Sequence, residues 1–480
     1  MAQGTCQKLE VRTEKVEVRD VNERVLAIAR AVQREGGRAL IVGGWVRDRL
    51  LGRESKDIDL EVFGLDGARL RTLLEALGRV ETVGESFQVY KCGDLDVSLP
   101  RRESKSGRGH RGFVVTGDPT MSIEEAARRR DFTVNAISFD PLSLEYLDPF
   151  DGRVDLERRV LRMVDCRTFA EDSLRVLRAV QFAARFELTL DDETRELCRT
   201  IPLDDLPAER VWGEVEKLLF APKPSLGLAL ALDLGIVERL WPELHALVGC
   251  PQEPEWHPEG DVWVHTLQVV DQARTRVDDL PRPKQLAIML GAVCHDLGKP
   301  ATTAFSDGRI RSIDHEAQGV APATVFLDRL NVHSFDGYDV RAQVLGMTEQ
   351  HLKPGMWFKA PTPVGDGAFR RLAQKVDLEL LARLATSDCL GRAPGVFSTQ
   401  AMEWFLERAL ALGVQHAPPS PLLLGRHLIE LGVRPGPRMG ELLKVVYEQQ
   451  LDGSVTSLDE AMAAARALLD AATPGTQTVN

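Results

Sequence analysis

Arg38-Ala39-Leu40-Ile41-Val42-Gly43-Gly44-Trp45-Val46-Arg47-Asp48, followed by Asp57-Ile58-Asp59-Leu60-Glu61-Val62-Phe63, decides the fold. The first stretch is a short β-type run that ends at a glycine pair and turns into a helix. The second alternates apolar and acidic residues, as a strand buried on one face does. Outward from these, Val21–Gln33 has helical spacing, and Phe87–Lys91 and Asp94–Leu99 read as two more strands around Cys92-Gly93. Residues 24–150 therefore form a small α/β head. From Leu156 onward the pattern is almost entirely helical. The predicted class is α+β, with a helical neck over 151–222, a helical body over 223–412 and C-terminal helices over 413–480.

A chain of 480 residues has room for two to four domains. Its hydrophobic (44%) and charged (28%) fractions exclude a largely disordered or fibrous protein. The net charge of −12 excludes binding of polyanions through bulk charge, so a nucleic-acid partner needs a local basic surface. Seven scattered cysteines without C-x-x-C make neither a disulfide framework nor a zinc finger, and a reducing cytoplasm fits them. The polar N-terminus does not read as a signal peptide, and no apolar run reaches the roughly 20 residues of a membrane span. The expectation is a soluble, cytoplasmic protein with no membrane contact and no stable protein partner.

Asp57 and Asp59 lie two apart at the start of a predicted strand, which places both on one side. Carboxylates paired on a rigid strand can hold two hard cations, as phosphoryl and nucleotidyl transfer require. Gly43 and Gly44 lack Cβ atoms, so their backbone N–H groups can approach a phosphate at the following helix N-terminus. Asp96, on a later strand, is placed to supply a third carboxylate. D-x-D alone is common in surface loops, and G-G before a helix is usually only a turn. Strand–GG–helix–D-x-D–strand–D within about 55 residues is a far more specific combination, and it points to a catalytic nucleotidyltransferase head.

GGWVRD (43–48) with DIDLEV (57–62) resembles the signature of the class II tRNA nucleotidyltransferases and of their relatives, the bacterial poly(A) polymerases. The resemblance continues in family order through RRDFTVNAI (129–137), LDPFDG (147–152), EDSLRVLRAVQFAARF (171–186) and LPAERVWGEVEKLL (206–219). It implies Mg²⁺ ions at Asp57 and Asp59 with Asp96 in support. It also implies triphosphate contacts from Gly43, Gly44 and Arg47. Arg129, Arg130, Asp131 and Asn135 match the motif that contacts ribose and triphosphate.

Glu171-Asp172-x-x-Arg175-x-x-Arg178 reads as lying on one helix, with Asp172 and Arg175 as neighbours. The plain reading is an intrahelical ion pair. The functional one rests on cytosine and adenine both presenting an amino donor beside a ring-nitrogen acceptor. A carboxylate accepts from the first and a guanidinium donates to the second, whereas uracil and guanine reverse the order. In the resembling family, Glu171, Asp172, Arg175 and Arg178 match the motif that reads CTP and ATP. The run Arg101–Arg111 holds five Arg/Lys against one Glu. It resembles the flexible loop of full CCA-adding and A-adding enzymes.

In the body, His265, His295-Asp296, His315, His351 and Asp388 follow in the order H…HD…H…H…D. Imidazole mixed with carboxylate suits a borderline divalent metal. A lone helical histidine is more often a satisfied core or surface residue, but six such residues in this order are not. WHPEGDVWVHTL (256–267) and CHDLGKP (294–300) resemble the HD phosphohydrolase module fused to some CCA-adding enzymes. His265, His295, Asp296 and Asp388 fit its minimal motif, His315 and His351 would complete a dinuclear site, and His257 reads as structural. That resemblance implies a divalent metal of unspecified identity and hydrolysis of phosphoesters such as 2′,3′-cyclic phosphates and 2′-nucleotides.

The expected function is template-independent building or repair of the tRNA 3′-CCA end from CTP and ATP. The tRNA would meet a local basic surface, since residues 153–185 hold eight Arg against five Asp/Glu. One alternative is an A-adding specialist or a poly(A) polymerase; poly(A) polymerases of the resembling family usually carry a basic C-terminal extension, and Pro421–Asn480 is not markedly basic, which counts against the latter. Another is a phosphohydrolase with an RNA-binding head.

Overall fold

The computed structural model describes residues 21–55, 57–83, 89–105, 113–392 and 397–471. The chain divides into two compact units, Met1–Leu240 and Trp241–Asn480.

The first unit opens with a helix, Glu23–Arg34, whose N-terminus is capped by the Asn22 side chain accepting from Arg24 N–H. Its buried stripe includes Val25, Ile28, Ala29 and Val32. β1 (Arg38–Val42) is buried at every position but the first and pairs antiparallel with β2 (Ile58–Phe63). β3 (Glu81–Val83), β4 (Val89–Cys92) and β5 (Leu95–Ser98) follow, then β6 (Arg101–Lys105) and β7 (Phe113–Gly117), then β8 (Ser138–Asp140) and β9 (Glu145–Leu147). Seven of these form one sheet in the order β3-β4-β5-β2-β1-β8-β9, and β6 and β7 make a separate antiparallel pair. The basic run expected to be a flexible loop is thus a strand over its first five residues; Ser106–Arg111 lie outside the described residues. Within the seven-stranded sheet, among the described residues, only β2–β5 is parallel, and its register sets Asp59 directly opposite Asp96. A second parallel pair, Val160–Leu161 with Thr189–Leu190, lies in the segment expected to be an all-helical neck and corrects that expectation. Along β2, Ile58, Leu60 and Val62 are buried while Asp59 is exposed, so the sheet turns its acids away from the core.

Helices complete the unit. The longest, Leu174–Phe186, buries Leu174, Leu177, Ala179, Val180 and Ala183 and packs against Ala208–Leu219 and Pro224–Asp233. The helix starts at Leu174, so Glu171 and Asp172 lie in the turn ahead of it rather than on it.

The second unit is built around Arg282–Cys294, whose residues 286–294 are all buried. A helix apolar all round needs neighbours on every side, and Val262–Arg274, Val340–Gln350 and Leu378–Leu390 supply them. The all-helical expectation misses one hairpin, Thr303–Ser306 with Arg309–Ser312, turned by Asp307 (φ +51°) and Gly308 (φ +76°). Asp-Gly is the sequence signal of that two-residue turn. Pro437–Asp452 and Leu458–Ala471 pack against each other around Leu428, Leu442, Val446, Ala461 and Ala465. Among the described residues, no helix is long and apolar enough to cross a membrane.

Candidate active sites

Gly43 links β1 to the helix Gly44–Leu50 with φ +73°, a conformation that L side chains rarely adopt. A Cβ there would stand 3.4 Å from Arg130 Nη1 and 3.6 Å from Asp59 Oδ2, on the lip of a cavity of about 560 Å³. Asp59, Asp96, Asn135, Asp172 and Arg175 line that cavity with Gly43 and Gly44. Asp57 lies one residue ahead of β2, exposed and outside the lining. Although the residue is exposed at the sheet surface, partial desolvation of its carboxyl against the cavity wall pushes Asp59 above its usual range; Arg130 opposes this, and the charges of Asp96 and Asp57 add to it. Carboxylates crowded in this way favour a cation. Arg130 also pairs with Glu61, two residues further along β2.

Behind the carboxylates runs a buried polar chain. Arg47 donates from Nε and Nη2 to Asp48 Oδ1, and from Nη1 to Asn135 Oδ1 at 2.6 Å. The Asn135 amide donates to Asp131 Oδ1 at 3.0 Å. Arg178 closes the chain on Asp131 Oδ2, with Nε at 2.7 Å and Nη2 at 2.6 Å. Burial alone would raise the Asp131 carboxyl, but Arg178 and Asn135 outweigh it and hold it below its usual range. The Arg47 guanidinium also lies 4.2 Å from the ring centroid of Phe186.

Asp172 and Arg175 have partners other than the intrahelical pair of the plain reading. Asp172 Oδ1 accepts from Leu174 N–H at the helix start, and its Oδ2 accepts from Arg210 at 3.0 Å. Arg175 donates to the carbonyls of Thr168 and Arg129, both at 2.7 Å. Glu171 lies 3.6 Å from Arg129. Asp172 sits ahead of the N-cap Ser173, so its carboxylate turns back on Leu174 N–H, two residues on, in a local side-chain-to-backbone bond. Both side chains still face the cavity. Arg185, Arg210 and Lys217 line it too; the sequence assigns them no role of their own, and the signal for them is their place within EDSLRVLRAVQFAARF and LPAERVWGEVEKLL.

The second unit brings all six expected histidines and aspartates together. His265 lies in the first turn of Val262–Arg274, and Asp388 in Leu378–Leu390. His295 and His351 cap helix C-termini, and His315 opens a short helix. Gly298 allows this: a Cβ there would meet the His315 carbonyl oxygen at 1.9 Å. His295, His315 and His351 each donate Nδ1–H to the carbonyl three residues back, Ala292, Ser312 and Thr348. Each Nε2 is thereby turned toward Asp296, at 3.2, 3.3 and 3.9 Å respectively. His265 Nε2 lies 3.9 Å from Asp296 and 3.0 Å from Asp388. One Asp296 oxygen faces His265 and His295, and the other faces His315 and His351.

Three features fit divalent ions here. His315 Nε2 and His351 Nε2 stand 3.3 Å apart with both Nδ1 atoms already donating, so in neutral rings two lone pairs face each other. His295 Nε2 and Asp296 Oδ2 are buried without an aligned hydrogen bond, although Lys299 Nζ lies 2.7 Å from that oxygen. Burial would raise Asp296 and Asp388, yet His295 and Lys299 around the first and Arg392 and His265 around the second hold both well below the usual carboxylate range. Burial would lower His295 and His315, but Asp296 outweighs it and raises both; His351 is pushed down to about 3 by burial and the neighbouring imidazoles. A cavity of about 460 Å³ opens over the cluster, lined also by Lys299, Arg311 and Arg392. His257, read as structural, and Glu259, not singled out at all, also belong to this neighbourhood.

Residues 39–162 match the family model of the poly A polymerase head domain, and residues 187–248 match that of the "Probable RNA and SrmB- binding site of polymerase A". The multifunctional CCA protein of Xanthomonas campestris pv. campestris (strain B100) is 40% identical over 322 residues, 65% of this chain and 74% of its own. That of Xanthomonas euvesicatoria pv. vesicatoria (strain 85-10) is 35% identical over 424 residues, 84% of this chain and 95% of its own. In fold, the chain is similar to the Bacillus stearothermophilus CCA-adding enzyme solved in complex with CTP. That likeness has a TM-score of 0.63 and 22% identity, and covers 94% of this chain and 98% of the other. The fold and these matches define the class, a nucleotidyltransferase head joined to helices. Within it, the chain belongs to the family of the multifunctional CCA proteins, the bacterial CCA-adding tRNA nucleotidyltransferases.

Proposed function

We propose that the head completes or repairs the 3′-CCA end of tRNA, taking CTP and ATP as substrates, and that the second unit carries a separate metal-dependent phosphohydrolase centre. The observation that supports the first activity best is the β2–β5 register, which sets Asp59 against Asp96 beside the positive-φ Gly43. Nucleotidyltransferases of this family use divalent metals, typically Mg²⁺. Held by Asp57 and Asp59 with Asp96 in support, such ions would supply Lewis-acid stabilisation to the attacking 3′-hydroxyl and the departing pyrophosphate. The backbone at Gly43 and Gly44, with Arg47, Arg129 and Arg130, orients the triphosphate. Asn135 and Asp131 fix the ribose side of the cavity. Asp172 accepts from the exocyclic amine and Arg175 donates to the ring nitrogen, while Glu171 and Arg178 hold the turn and helix that present them.

The proposed functional segments are a head over 24–150, a base-reading and RNA-binding neck over 151–222, a hydrolytic body over 223–412 and a tail over 413–480. Neighbours of this fold have been solved with CTP, with ATP and, for the Thermotoga maritima enzyme, with tRNA, which supports the same substrates here.

The hydrolytic reading rests on the convergence of four imidazole Nε2 atoms on the two oxygens of Asp296. His265, His295, Asp296 and Asp388 would hold one divalent ion, and His315 and His351 would hold a second across Asp296. Bound there, the ions would supply a water of lowered pKa near a phosphoester. Lys299, Arg311 and Arg392 contribute positive charge on the cavity wall for the phosphate. The pair of activities is tested by substitution. Asp59→Ala should remove nucleotide addition and spare hydrolysis of a 2′,3′-cyclic nucleotide, and His295→Ala with Asp296→Ala should do the reverse. Loss of both activities from either folded variant would contradict two independent sites.

A further inference from the structure

His265 differs from the other three histidines of the cluster in what holds its Nδ1. The others donate to neutral backbone carbonyls, whereas His265 Nδ1 lies 2.8 Å from Glu259 Oε1. That same oxygen receives His257 Nδ1, also at 2.8 Å. The Glu259 side chain is only 2% exposed, and its second oxygen is buried without a hydrogen-bond partner. A carboxylate only accepts, so both imidazoles carry their proton on Nδ1, and His265 presents a lone pair on Nε2 toward Asp296 and Asp388. Burying a half-satisfied carboxylate is unfavourable, yet this one lies directly behind a metal-type ligand. A charged acceptor makes the imidazole a better electron donor than a carbonyl does, and it fixes the ring plane.

Resting on the dinuclear reading proposed above, we infer that Glu259 is a positioning residue for one metal position only, the one that includes His265. His257 is the second ligand of the same carboxylate rather than a packing residue. At the other position, across His315 and His351, both Nδ1 atoms donate to backbone carbonyls at 2.8 and 2.9 Å, with Glu316 Oε2 standing further off at 3.5 Å from His315 Nδ1, so this position is independent of Glu259.

The test is Co²⁺ titration of metal-stripped full-length protein by calorimetry, with visible absorption reporting nitrogen ligation. An Asp59→Asn background keeps the head carboxylates out of the count. The parent should bind two Co²⁺ ions in this unit. Glu259→Gln should weaken one of them about 10- to 100-fold, the usual effect of removing an outer-shell partner, and leave the other within about threefold. His351→Gln should weaken the other one instead, which assigns the two events. If Glu259→Gln does not fold, Glu259→Asp, which withdraws the carboxylate by one methylene, is read in the same way. Unchanged binding of both ions, or equal weakening of both, overturns the positioning role. Failure of the parent to bind Co²⁺ overturns the metal reading on which it rests.

Discussion

Replacing Asp131 by Asn tests whether the polar chain behind the nucleotide cavity is structural as well as functional. The side chain keeps its shape and can still accept through Oδ1 from Phe132 N–H at 2.8 Å and from Asn135 at 3.0 Å. What changes is Oδ2, which becomes an NH₂ facing the Nε and Nη2 of Arg178 at 2.7 and 2.6 Å. Two charge-assisted bonds are lost, each worth roughly 1.5–3 kcal/mol. The Arg178 side chain is 32% exposed, so water recovers part of the loss and the net falls to about 2–3 kcal/mol. In a unit of this size that is a fall of about 4–12 °C in melting temperature.

The pH dependence has a definite sign. The folded carboxyl lies below its usual value, so its contribution is complete above about pH 4 and disappears as pH falls through the folded value. Calorimetry of parent and Asp131→Asn from pH 7 to pH 3 should therefore show a gap that is widest at neutral pH and narrows toward pH 3. With Arg178→Met as the partner, a double-mutant cycle should return a coupling of about 1–3 kcal/mol. A neutral-pH difference under about 0.5 kcal/mol, or a gap that widens on acidification, would refute the reasoning.

Arg175→Ala should relax the preference for CTP and ATP over UTP and GTP, measured by single-nucleotide incorporation; unchanged rejection of UTP would remove Arg175 from base reading. Arg210→Met should relax it in the same direction by releasing Asp172, with the specific signature that Arg210→Lys partly restores it. Gly43→Ala forces a Cβ onto a backbone at φ +73°, ψ −133° and onto the cavity lip, costing about 1–3 kcal/mol of stability and a larger loss of nucleotide addition, which melting and extension assays separate. Gly298→Ala must displace His315 and should abolish one of the two Co²⁺ events while leaving CCA addition intact; two undisturbed events would contradict the packing described at that turn.

Much of the head was legible because its period-2 and turn signals are local. β1, the Gly43 turn and β2 follow from apolar runs, one glycine pair and an alternating acid pattern. The opposition of Asp59 and Asp96 was not legible, because strand register across a parallel pair depends on contacts far apart in sequence. Asp172 shows the limit of helical spacing: a motif spaced i,i+3 was read as one helix, but the helix begins at Leu174 and the acid lies in the turn ahead of it, accepting from Leu174 N–H. The histidine–aspartate cluster was readable as a set of ligand-type residues in order. Its division into two halves around Asp296 needed the three-dimensional turns at Ala292, Ser312 and Thr348. Glu259 was invisible because an acid six residues before a histidine has no periodic meaning; only the fold brings Oε1 to both His257 and His265.

Extension of three tRNA transcripts, ending before CCA, after the first C and after CC, with CTP, ATP or both, tests the central claim most directly. The account predicts that all three are extended to a complete CCA end, that Asp59→Ala extends none, and that His295→Ala with Asp296→Ala extends all three normally. Extension of the CC-ended transcript alone would instead make the chain an A-adding enzyme. No extension of any transcript by the folded parent would contradict the account.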